Sequence, residues 1–258
     1  MSSIVTEIKG QVAILKLNRP EKYNTFNRDM AISLQAGLDA AANHKNIRAI
    51  LITGNGKAFC AGQDIGELTG ENPVGMESIL SEYYNPIVTR IRSIEKPVVA
   101  AVNGVAAGAG ANIALCCDVV LASENASFIQ AFSKIGLIPD SGGTYFLPRL
   151  IGWQKAGALM MLGDKVSAPE AEKLGMIYKL LPAETFFDDA LKIAETLSRL
   201  PTRGLALTKM ALNKSMSQTW EQQLATEDAL QQQAGKTYDY REGISAFIEK
   251  RDPEFKGE

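Results

Sequence analysis

Four apolar runs rich in β-branched residues constrain the fold of this chain more than any other feature. They are VAILKLN, IRAILITG, KPVVAAVNG and DVVLASEN, and each has the composition of a buried strand. Between them, Met30 to Ala42 and Met76 to Ile94 carry apolar residues at helical spacing, although Pro86 is expected to kink the second segment. Because strands that alternate with helices usually pair in parallel through crossover connections, the sequence predicts an α/β fold.

The two ends of the chain differ from this alternating centre. The run IVTEIKG precedes VAILKLN, with only Gly10 and Gln11 between them, so two successive strands are expected at the start. From about Trp153 onward the pattern is almost entirely helical, with breaks at Pro182 and Pro201. The sequence therefore predicts strands and helices first and a helical region last.

Composition and charge exclude several classes of function. The 258 residues are 46% hydrophobic and carry a net charge of −2, so no basic surplus favours nucleic acid or an anionic membrane. Cys60, Cys116 and Cys117 lack the spacing of a metal site and are expected to be reduced thiols. The N-terminus has no signal-peptide pattern, and no apolar run reaches the roughly 18 residues of a membrane span. We expect a cytoplasmic protein with no metal, nucleic-acid partner or membrane partner.

Two glycine-rich turns are candidates for binding a ligand through the backbone. They are AFCAGQD, residues 58–64, and NGVAAGAGANIA, residues 103–114. Small residues allow a ligand close to the main chain, and a helix start presents free N–H groups, so two such turns together can form an oxyanion hole. Two alternatives remain open at this point. The glycines can serve helix–strand packing alone, or Gly108 and Gly110 can belong to a dinucleotide site with Glu124, although Ile113 occupies that motif's third small position.

The stretch GLIPDSGGT places one carboxylate, Asp140, between a proline and two glycines. Asp in such a sequence is commonly a turn-forming residue, but it can equally be an acid/base presented by a shaped loop. His44 is the only histidine and lies in the polar sequence NHKN, which argues against Ser/His or Cys/His nucleophilic chemistry.

Four blocks together resemble the crotonase (enoyl-CoA hydratase/isomerase) family over essentially the whole chain. They are LNRPEKYNTF, AFCAGQDI, KPVVAAVNGVAAGAGANIALCCD and GLIPDSGGTYFLPRLIG, in the family's order and spacing. The resemblance implies a crotonase-like spiral of ββα turns with a C-terminal helical trimerisation region, and acyl-CoA thioester substrates. We accordingly divide the chain into a spiral core carrying the CoA and active site, residues 1–195, and a C-terminal helical region, residues 196–258.

The resemblance also assigns binding residues. It implies an oxyanion hole made by the backbone N–H groups of Gln63 and Ala109. It further implies a path for the adenine and pantetheine of CoA lined by Ala61, Asp64 and Ile65, with Lys22 near the CoA phosphates.

One departure from the family pattern determines the expected chemistry. Family hydratases carry two catalytic glutamates, and the matching positions here are Asn112 and Phe132. Asp140 stands where family isomerases and a dehalogenase place a catalytic carboxylate. The resemblance therefore implies a single acid/base, Asp140, with Asn112 hydrogen-bonding the substrate. Phe132 is expected to form a dry wall together with Phe128, Ile135 and Leu137.

Within the family, GVAAGAGA, AFSKIGLIPDSGGT and DYREGISAFIEKRDPEF resemble isomerases of aerobic phenylacetate breakdown, which convert an aromatic epoxide thioester into an oxepin. The expected activity is an acyl-CoA isomerase that shifts a proton or double bond next to the thioester. The alternatives are an enoyl-CoA hydratase, an aliphatic enoyl-CoA delta isomerase and a non-catalytic scaffold. No cofactor is expected beyond the CoA of the substrate, and the expected assembly is a homotrimer or a hexamer built as a dimer of trimers.

Overall fold

The computed structural model describes residues 2–69 and 73–258. Its strands are β1 (Ile4–Lys9), β2 (Val12–Leu17), β3 (Ala49–Gly54), β4 (Ala58–Cys60), β5 (Val98–Val102), β6 (Val105–Ala107), β7 (Val119–Ser123), β8 (Ser127–Ile129), β9 (Lys165–Ser167) and β10 (Lys179–Leu181). Its α-helices are α1 (Arg28–Asn43), α2 (Gly66–Thr69), α3 (Met76–Ser78), α4 (Asn85–Ser93), α5 (Ala109–Leu115), α6 (Gly143–Ile151), α7 (Trp153–Leu162), α8 (Ala168–Lys173), α9 (Phe186–Arg199), α10 (Thr202–Ser215), α11 (Trp220–Ala234) and α12 (Tyr238–Glu249). Short 3-10 helices span Pro20–Lys22 and Ala131–Ile135, and a π-helix spans Ile79–Tyr84.

The larger sheet contains all of the strands that the sequence predicts. Its six strands run in the order β1-β2-β3-β5-β7-β10. The first two pair antiparallel, with Ile4 opposite Leu17, and every later pair in this sheet is parallel. The predicted α/β alternation with parallel crossovers is therefore confirmed.

The smaller sheet is a structure that the sequence pattern did not predict. It consists of β4, β6, β8 and β9, each three residues long, with β8 and β9 antiparallel and the other pairs parallel. The strands alternate with those of the larger sheet along the chain, which produces a spiral of ββα turns. Through β4 and β6 the smaller sheet brings the two glycine-rich turns side by side.

The larger sheet is buried on both faces. Along β2, Leu15 and Leu17 belong to the apolar cluster that includes α1, whereas Val12 and Ile14 belong to a second cluster that includes α9. This alternation follows from the two-residue period of a strand. The predicted boundary between residues 195 and 196 falls inside α9, which packs on the sheet and ends at Arg199.

The helical segment that contains Pro86 is irregular in a way that proline explains. Proline has no N–H, so Glu82 cannot receive the hydrogen bond that a regular helix would give it from position 86. The π-helix ends just before Pro86, which lies in the first turn of α4. The side chain of Gln35 on α1 donates to the free carbonyl of Glu82 at 2.7 Å. The predicted disturbance is present, and it takes the form of a π turn.

The C-terminal region, α10 to α12, is attached to the core by the hydrogen bonds of a buried arginine. The guanidinium of Arg48 donates to Thr202 Oγ1 at 2.8 Å and to the carbonyl oxygens of Phe255 and Leu200. Asp239 accepts hydrogen bonds from two backbone N–H groups of the tail, at Lys256 and Gly257. In the part of the chain described, no helix has the length and apolarity needed to cross a bilayer.

Candidate active site

A small cavity of about 90 Å³ lies where the two glycine-rich turns, the π-helix and the segment around Asp140 meet. Its lining residues are Ala61, Gly62, Gln63, Leu68, Met76, Ile79, Tyr84, Gly108, Ala109, Ala131, Phe132, Ile135, Leu137 and Asp140. Most of these side chains are apolar, and Asp140 is the only carboxylate among them. The cavity therefore combines a largely apolar wall with one acid.

Two backbone N–H groups at the cavity wall are free to bind an oxygen atom. Among the described residues, neither the N–H of Gln63 nor that of Ala109 has a hydrogen-bond acceptor. The two turns touch each other: a Cβ added to Gly62 would lie 3.9 Å from the nitrogen of Ala109. Two N–H donors directed at one oxygen can stabilise the negative charge that develops on a thioester carbonyl.

The hydrogen bonds around Gln63 fix the orientation of its peptide. The N–H of Phe26 donates to the carbonyl of Gly62 at 2.7 Å, and the N–H of Asp64 donates to the carbonyl of Phe26 at 2.8 Å. The residues on either side of Gln63 are thus both hydrogen-bonded to Phe26, and the N–H of Gln63 itself points away from Phe26.

Asp140 is a partly buried carboxylic acid whose pKa is raised toward neutral pH. Burial raises its pKa from 3.8 to about 6, although a hydrogen bond from Ser141 Oγ to Oδ1, at 2.9 Å, acts in the opposite direction. A carboxylate with this pKa is a stronger base than an exposed one and is still largely ionised at neutral pH. The chemistry available at this position is the acceptance and return of a proton.

Asn112 differs in position from the sequence prediction. Its side chain is 1% exposed, does not line the cavity, and donates from Nδ2 to the backbone oxygen of Asp140 at 2.9 Å. Its Oδ1 accepts from Gln130 Nε2 at 2.7 Å. Both polar ends are therefore engaged inside the protein. The side chain does not face the cavity here, and a hydrogen bond between Asn112 and the substrate stays a prediction.

The predicted apolar wall is present with one exception. Phe132, Ile135 and Leu137 line the cavity, whereas Phe128 is 2% exposed and belongs to the main core. Phe128 lies on β8, where alternate side chains point to opposite faces, and its side chain points inward. The prediction that Phe128 forms part of the wall is therefore wrong.

Only one of the residues predicted to bind CoA lines the cavity. Ala61 lines the cavity, but Asp64, Ile65 and Lys22 do not. Asp64 forms an ion pair with Arg19 at 2.7 Å, and Ile65 is 53% exposed. Burial acts to raise the pKa of Asp64, but its hydrogen bonds with Arg19 and Gly66, with the charges of Arg19 and Lys22, hold it below the usual value. The charge of Lys22 is therefore near enough to Asp64 to favour its ionised form.

Tyr84 is a cavity residue that sequence reasoning missed. It ends the π-helix, is 1% exposed, and donates its hydroxyl hydrogen to Gln63 Oε1 at 2.5 Å. Burial raises the pKa of Tyr84 well above its usual value, and the nearby negative groups, among them Asp140, raise it further. The sequence offered one signal, the proline two residues later, because π turns recur at functional sites.

The remaining candidate residues have structural surroundings. Cys60 is fully buried, and burial raises the pKa of its thiol to about 12, so it is not a thiolate nucleophile. Gly110 packs against the same residue, because a Cβ there would lie 2.5 Å from the Cys60 carbonyl oxygen. A dinucleotide cannot approach this glycine. Glu124 accepts instead from the N–H of Ala183 at 3.4 Å.

Comparison with known proteins assigns the chain to a family. Residues 7–258 match the Enoyl-CoA hydratase/isomerase family. The chain belongs to this family. It is 45% identical to the 1,2-epoxyphenylacetyl-CoA isomerase of Escherichia coli (strain K12), in an alignment covering 100% of this chain and 99% of that protein. It is 43% identical to a probable enoyl-CoA hydratase of Rhodobacter capsulatus, covering 97% of this chain and 96% of that protein.

Solved structures agree with this membership of the enoyl-CoA hydratase/isomerase, or crotonase, family. The enoyl-CoA hydratase of Bacillus anthracis superposes with a TM-score of 0.92 at 32% sequence identity, covering 99% of this chain and 100% of that chain. The crotonase fold implied by the sequence blocks is confirmed, and the protein is an enzyme of the hydratase/isomerase type. The relatives include both isomerases and hydratases, so family membership alone leaves the reaction open.

Proposed function

We propose that the protein is an acyl-CoA isomerase that moves a proton between carbons next to a CoA thioester, with Asp140 as the single acid/base. One observation carries the proposal: Asp140 is the only carboxylate that lines the cavity among the described residues, and the free N–H groups of Gln63 and Ala109 line it too. Removing a proton beside a thioester places negative charge on the carbonyl oxygen, which two N–H donors can stabilise. The same carboxyl can then return the proton to another carbon.

Hydration is the less favoured reaction. It requires a base that activates water and an acid that protonates the substrate carbon, and such work usually takes two groups. Position 132 carries phenylalanine, and position 112 carries an amide whose polar atoms are engaged within the protein. The apolar wall of Phe132, Ile135 and Leu137 supports a dry site, where a proton held by Asp140 is not exchanged with water.

We propose 1,2-epoxyphenylacetyl-CoA as the substrate and an oxepin-CoA as the product, within phenylacetate catabolism. Support comes from the 45% identity to the Escherichia coli enzyme of that name over the whole chain. An aliphatic enoyl-CoA delta isomerisation uses the same acid/base and the same oxyanion site, so it is the second candidate. CoA enters as part of the substrate, and we propose no further cofactor.

We propose that the chain assembles as a homotrimer or as a hexamer of two trimers. Large apolar side chains are exposed on the single chain, among them Ile138 at 81%, Trp153 at 80% and Phe247 at 84%. Exposed apolar surface of this kind commonly belongs to an interface. Light scattering at micromolar concentration should give a mass of three or six chains; a monomeric mass would contradict the proposal. We keep the cytoplasm as the expected compartment, which the three free cysteines favour.

The decisive experiment compares wild type with Asp140→Asn on three thioesters: the epoxide, a 3-enoyl-CoA and a 2-enoyl-CoA. Loss of the proton carrier should lower isomerisation by about 10²- to 10⁴-fold, with acyl-CoA binding and the circular-dichroism spectrum retained. Asp188→Asn is the matched control because Asp188 is exposed and lies outside the cavity. Turnover of the 2-enoyl-CoA alone would identify a hydratase. No turnover of any thioester by wild type would favour a scaffold.

A further inference from the structure

Two buried amide side chains form a chain that ends on the backbone of Asp140. Gln130 Nε2 donates to Asn112 Oδ1 at 2.7 Å, and Asn112 Nδ2 donates to the carbonyl oxygen of Asp140 at 2.9 Å. Gln130 is 4% exposed and Asn112 is 1% exposed. Neither residue is among those that line the cavity, so this chain reaches the candidate base from behind.

The direction of this hydrogen-bond chain is fixed by its last member. A carbonyl oxygen can only accept, so Asn112 must turn its amide nitrogen toward Asp140 and its oxygen toward Gln130. The N–H of Gly143 donates to the same Asp140 oxygen at 2.8 Å. Because a carbonyl oxygen has two lone pairs, these two donors saturate it. The peptide that follows the candidate base is thereby held at a defined angle.

The segment that is held in this way has an unfavourable backbone conformation. Ser141 has a φ of 51°, in the left-handed region that residues with a side chain rarely adopt, and it is 2% exposed. Such a conformation persists only where the surroundings enforce it. Ser141 Oγ donates to Asp140 Oδ1 at 2.9 Å, so the strained residue also orients the carboxylate.

Space around Asn112 is as restricted as its hydrogen bonding. A Cβ added to Gly143 would lie 2.3 Å from Asn112 Nδ2, so the amide lies directly against the backbone at the start of α6. The side chain therefore has no room to turn toward the cavity without moving the segment that carries Asp140.

We infer that Gln130 and Asn112 are positioning residues for Asp140: the amide chain holds residues 140–143 and aims the carboxylate into the cavity. The inference rests on the proposed function insofar as Asp140 is the base. In this inference Asn112 holds the base in position and does not contact the substrate. Gln130 has a role that neither its spacing in the sequence nor the cavity lining indicates.

Gln130→Leu is the most informative variant. It removes the donor to Asn112 and leaves Asn112, Asp140 and the cavity lining unchanged. It leaves Asn112 Oδ1 without its donor, but it also removes a buried oxygen, Gln130 Oε1, that has no hydrogen-bond partner, which offsets part of that cost to folding. We expect kcat on the best thioester to fall at least about fivefold with KM within about twofold. Without ligand, hydrogen exchange of the peptide 137–144 should be faster than in wild type.

Asn112→Asp is the second variant, because it has the same shape and loses the donor when its carboxyl ionises. The ionised carboxylate cannot donate to the carbonyl of Asp140, and its charge raises the pKa of Asp140, so the pH profile of kcat should move to higher pH. Asn213→Asp is the matched control. Asn213 Nδ2 also donates to a backbone carbonyl, that of Arg92 at 2.9 Å, and the residue lies outside the cavity lining and outside both glycine-rich turns. Its kcat should stay within about twofold of wild type.

The outcomes separate the inference from the proposed function. Slower catalysis and faster exchange in Gln130→Leu, with neither in Asn213→Asp, would support it. Wild-type kcat and exchange in folded Gln130→Leu would overturn it if Asp140→Asn is inactive. Should Asp140→Asn remain active, the proposed function fails, and exchange of peptide 137–144 alone then decides whether the amide chain holds this segment. If Asn112→Asp does not fold, Gln130→Leu still provides the test.

Discussion

The hydroxyl of Tyr84 donates to Gln63 Oε1 at 2.5 Å, which joins the π-helix to the loop that carries the candidate oxyanion donor. Gln63 Nε2 donates in turn to Glu67 Oε2 at 3.1 Å. The ring of Tyr84 also packs edge-on against the ring of Phe26, with centroids 5.7 Å apart. The backbone of Phe26 is hydrogen-bonded to the residues on either side of Gln63. Tyr84 therefore supports Gln63 through both a hydrogen bond and a ring contact.

The first prediction follows from this contact. Tyr84→Phe keeps the ring and removes only the hydrogen bond to Gln63. The loop should therefore remain in place, but the backbone N–H of Gln63 should be held less firmly. We expect kcat for isomerisation to fall about two- to twelvefold, which corresponds to the roughly 0.5–1.5 kcal/mol of a hydrogen bond. Steady-state kinetics on the best thioester measure it.

Tyr83→Phe is the control for that measurement. Tyr83 neighbours Tyr84 in the π-helix and is equally buried at 1% exposure, but it does not line the cavity. Its loss of hydroxyl should leave kcat within about twofold. Equal losses in the two variants would mean that the π-helix as a whole, and not the contact with Gln63, is responsible.

The pH dependence of the reaction should report the state of Asp140. Burial raises the pKa of Asp140 to about 6, and a base must be deprotonated to accept a proton. We therefore expect kcat/KM to rise with pH and to level off above about 6. The residual activity of Asp140→Asn should lack this rise. A profile in which both proteins rise in parallel would assign the ionisation to another group.

The same pKa predicts that the candidate base lowers the stability of the fold. The pKa of Asp140 rises from 3.8 to about 6 on folding, so the folded protein binds the proton more tightly and loses stability as pH rises between these values. Asp140→Asn should therefore be more stable at neutral pH, by up to about 3 kcal/mol. Urea unfolding should show the difference shrinking as pH falls from about 7 to about 4. A variant less stable than wild type at pH 7 would contradict this prediction.

The attachment of the C-terminal tail should depend on Arg48. Arg48→Met keeps much of the side-chain volume but leaves Thr202 Oγ1 and the carbonyls of Leu200 and Phe255 without their donor. We expect a loss of roughly 2–4 kcal/mol in the free energy of unfolding, because hydrogen bonds from charged groups are stronger than neutral ones. Arg203→Met, which breaks a partly exposed pair with Glu95, should cost under about 1 kcal/mol. Similar losses in the two variants would show that the buried hydrogen bonds of Arg48 do not attach the tail.

The sequence correctly predicts the parts of this fold that depend on long local patterns of apolar residues. The strands β2, β3 and β5 are buried on both faces, so each is a continuous apolar run that stands out in the sequence. The three-residue strands β4 and β6 carry no period of their own, because partners distant in the chain determine their pairing. No local signal distinguishes them from the loops around them.

The candidate site also has parts that the sequence indicates and parts that it does not. Asp140 and the two glycine-rich turns are visible because proline and glycine mark unusual backbone. The contacts of Gln63 with Tyr84 and of Asn112 with Gln130 join residues 21 and 18 positions apart, and a single sequence does not indicate such pairs. For Asn112 the sequence indicates a polar residue near the site, but not that its amide bonds to the backbone behind the base and does not line the cavity.

The last prediction concerns the two positions where family hydratases carry glutamate. Introducing Asn112→Glu together with Phe132→Glu should not create an efficient hydratase. Glutamate at 112 cannot donate to the carbonyl of Asp140, and it is one methylene longer where the backbone of Gly143 already limits space. We therefore expect isomerase activity to fall more than about tenfold, with no gain in hydration of a 2-enoyl-CoA followed by loss of the conjugated thioester absorbance. Asn112→Gln keeps the donor at the longer length and separates size from charge. Efficient hydration by the double variant would show that residues 140–143 can relocate without the amide chain, and that Asn112 does not determine their position.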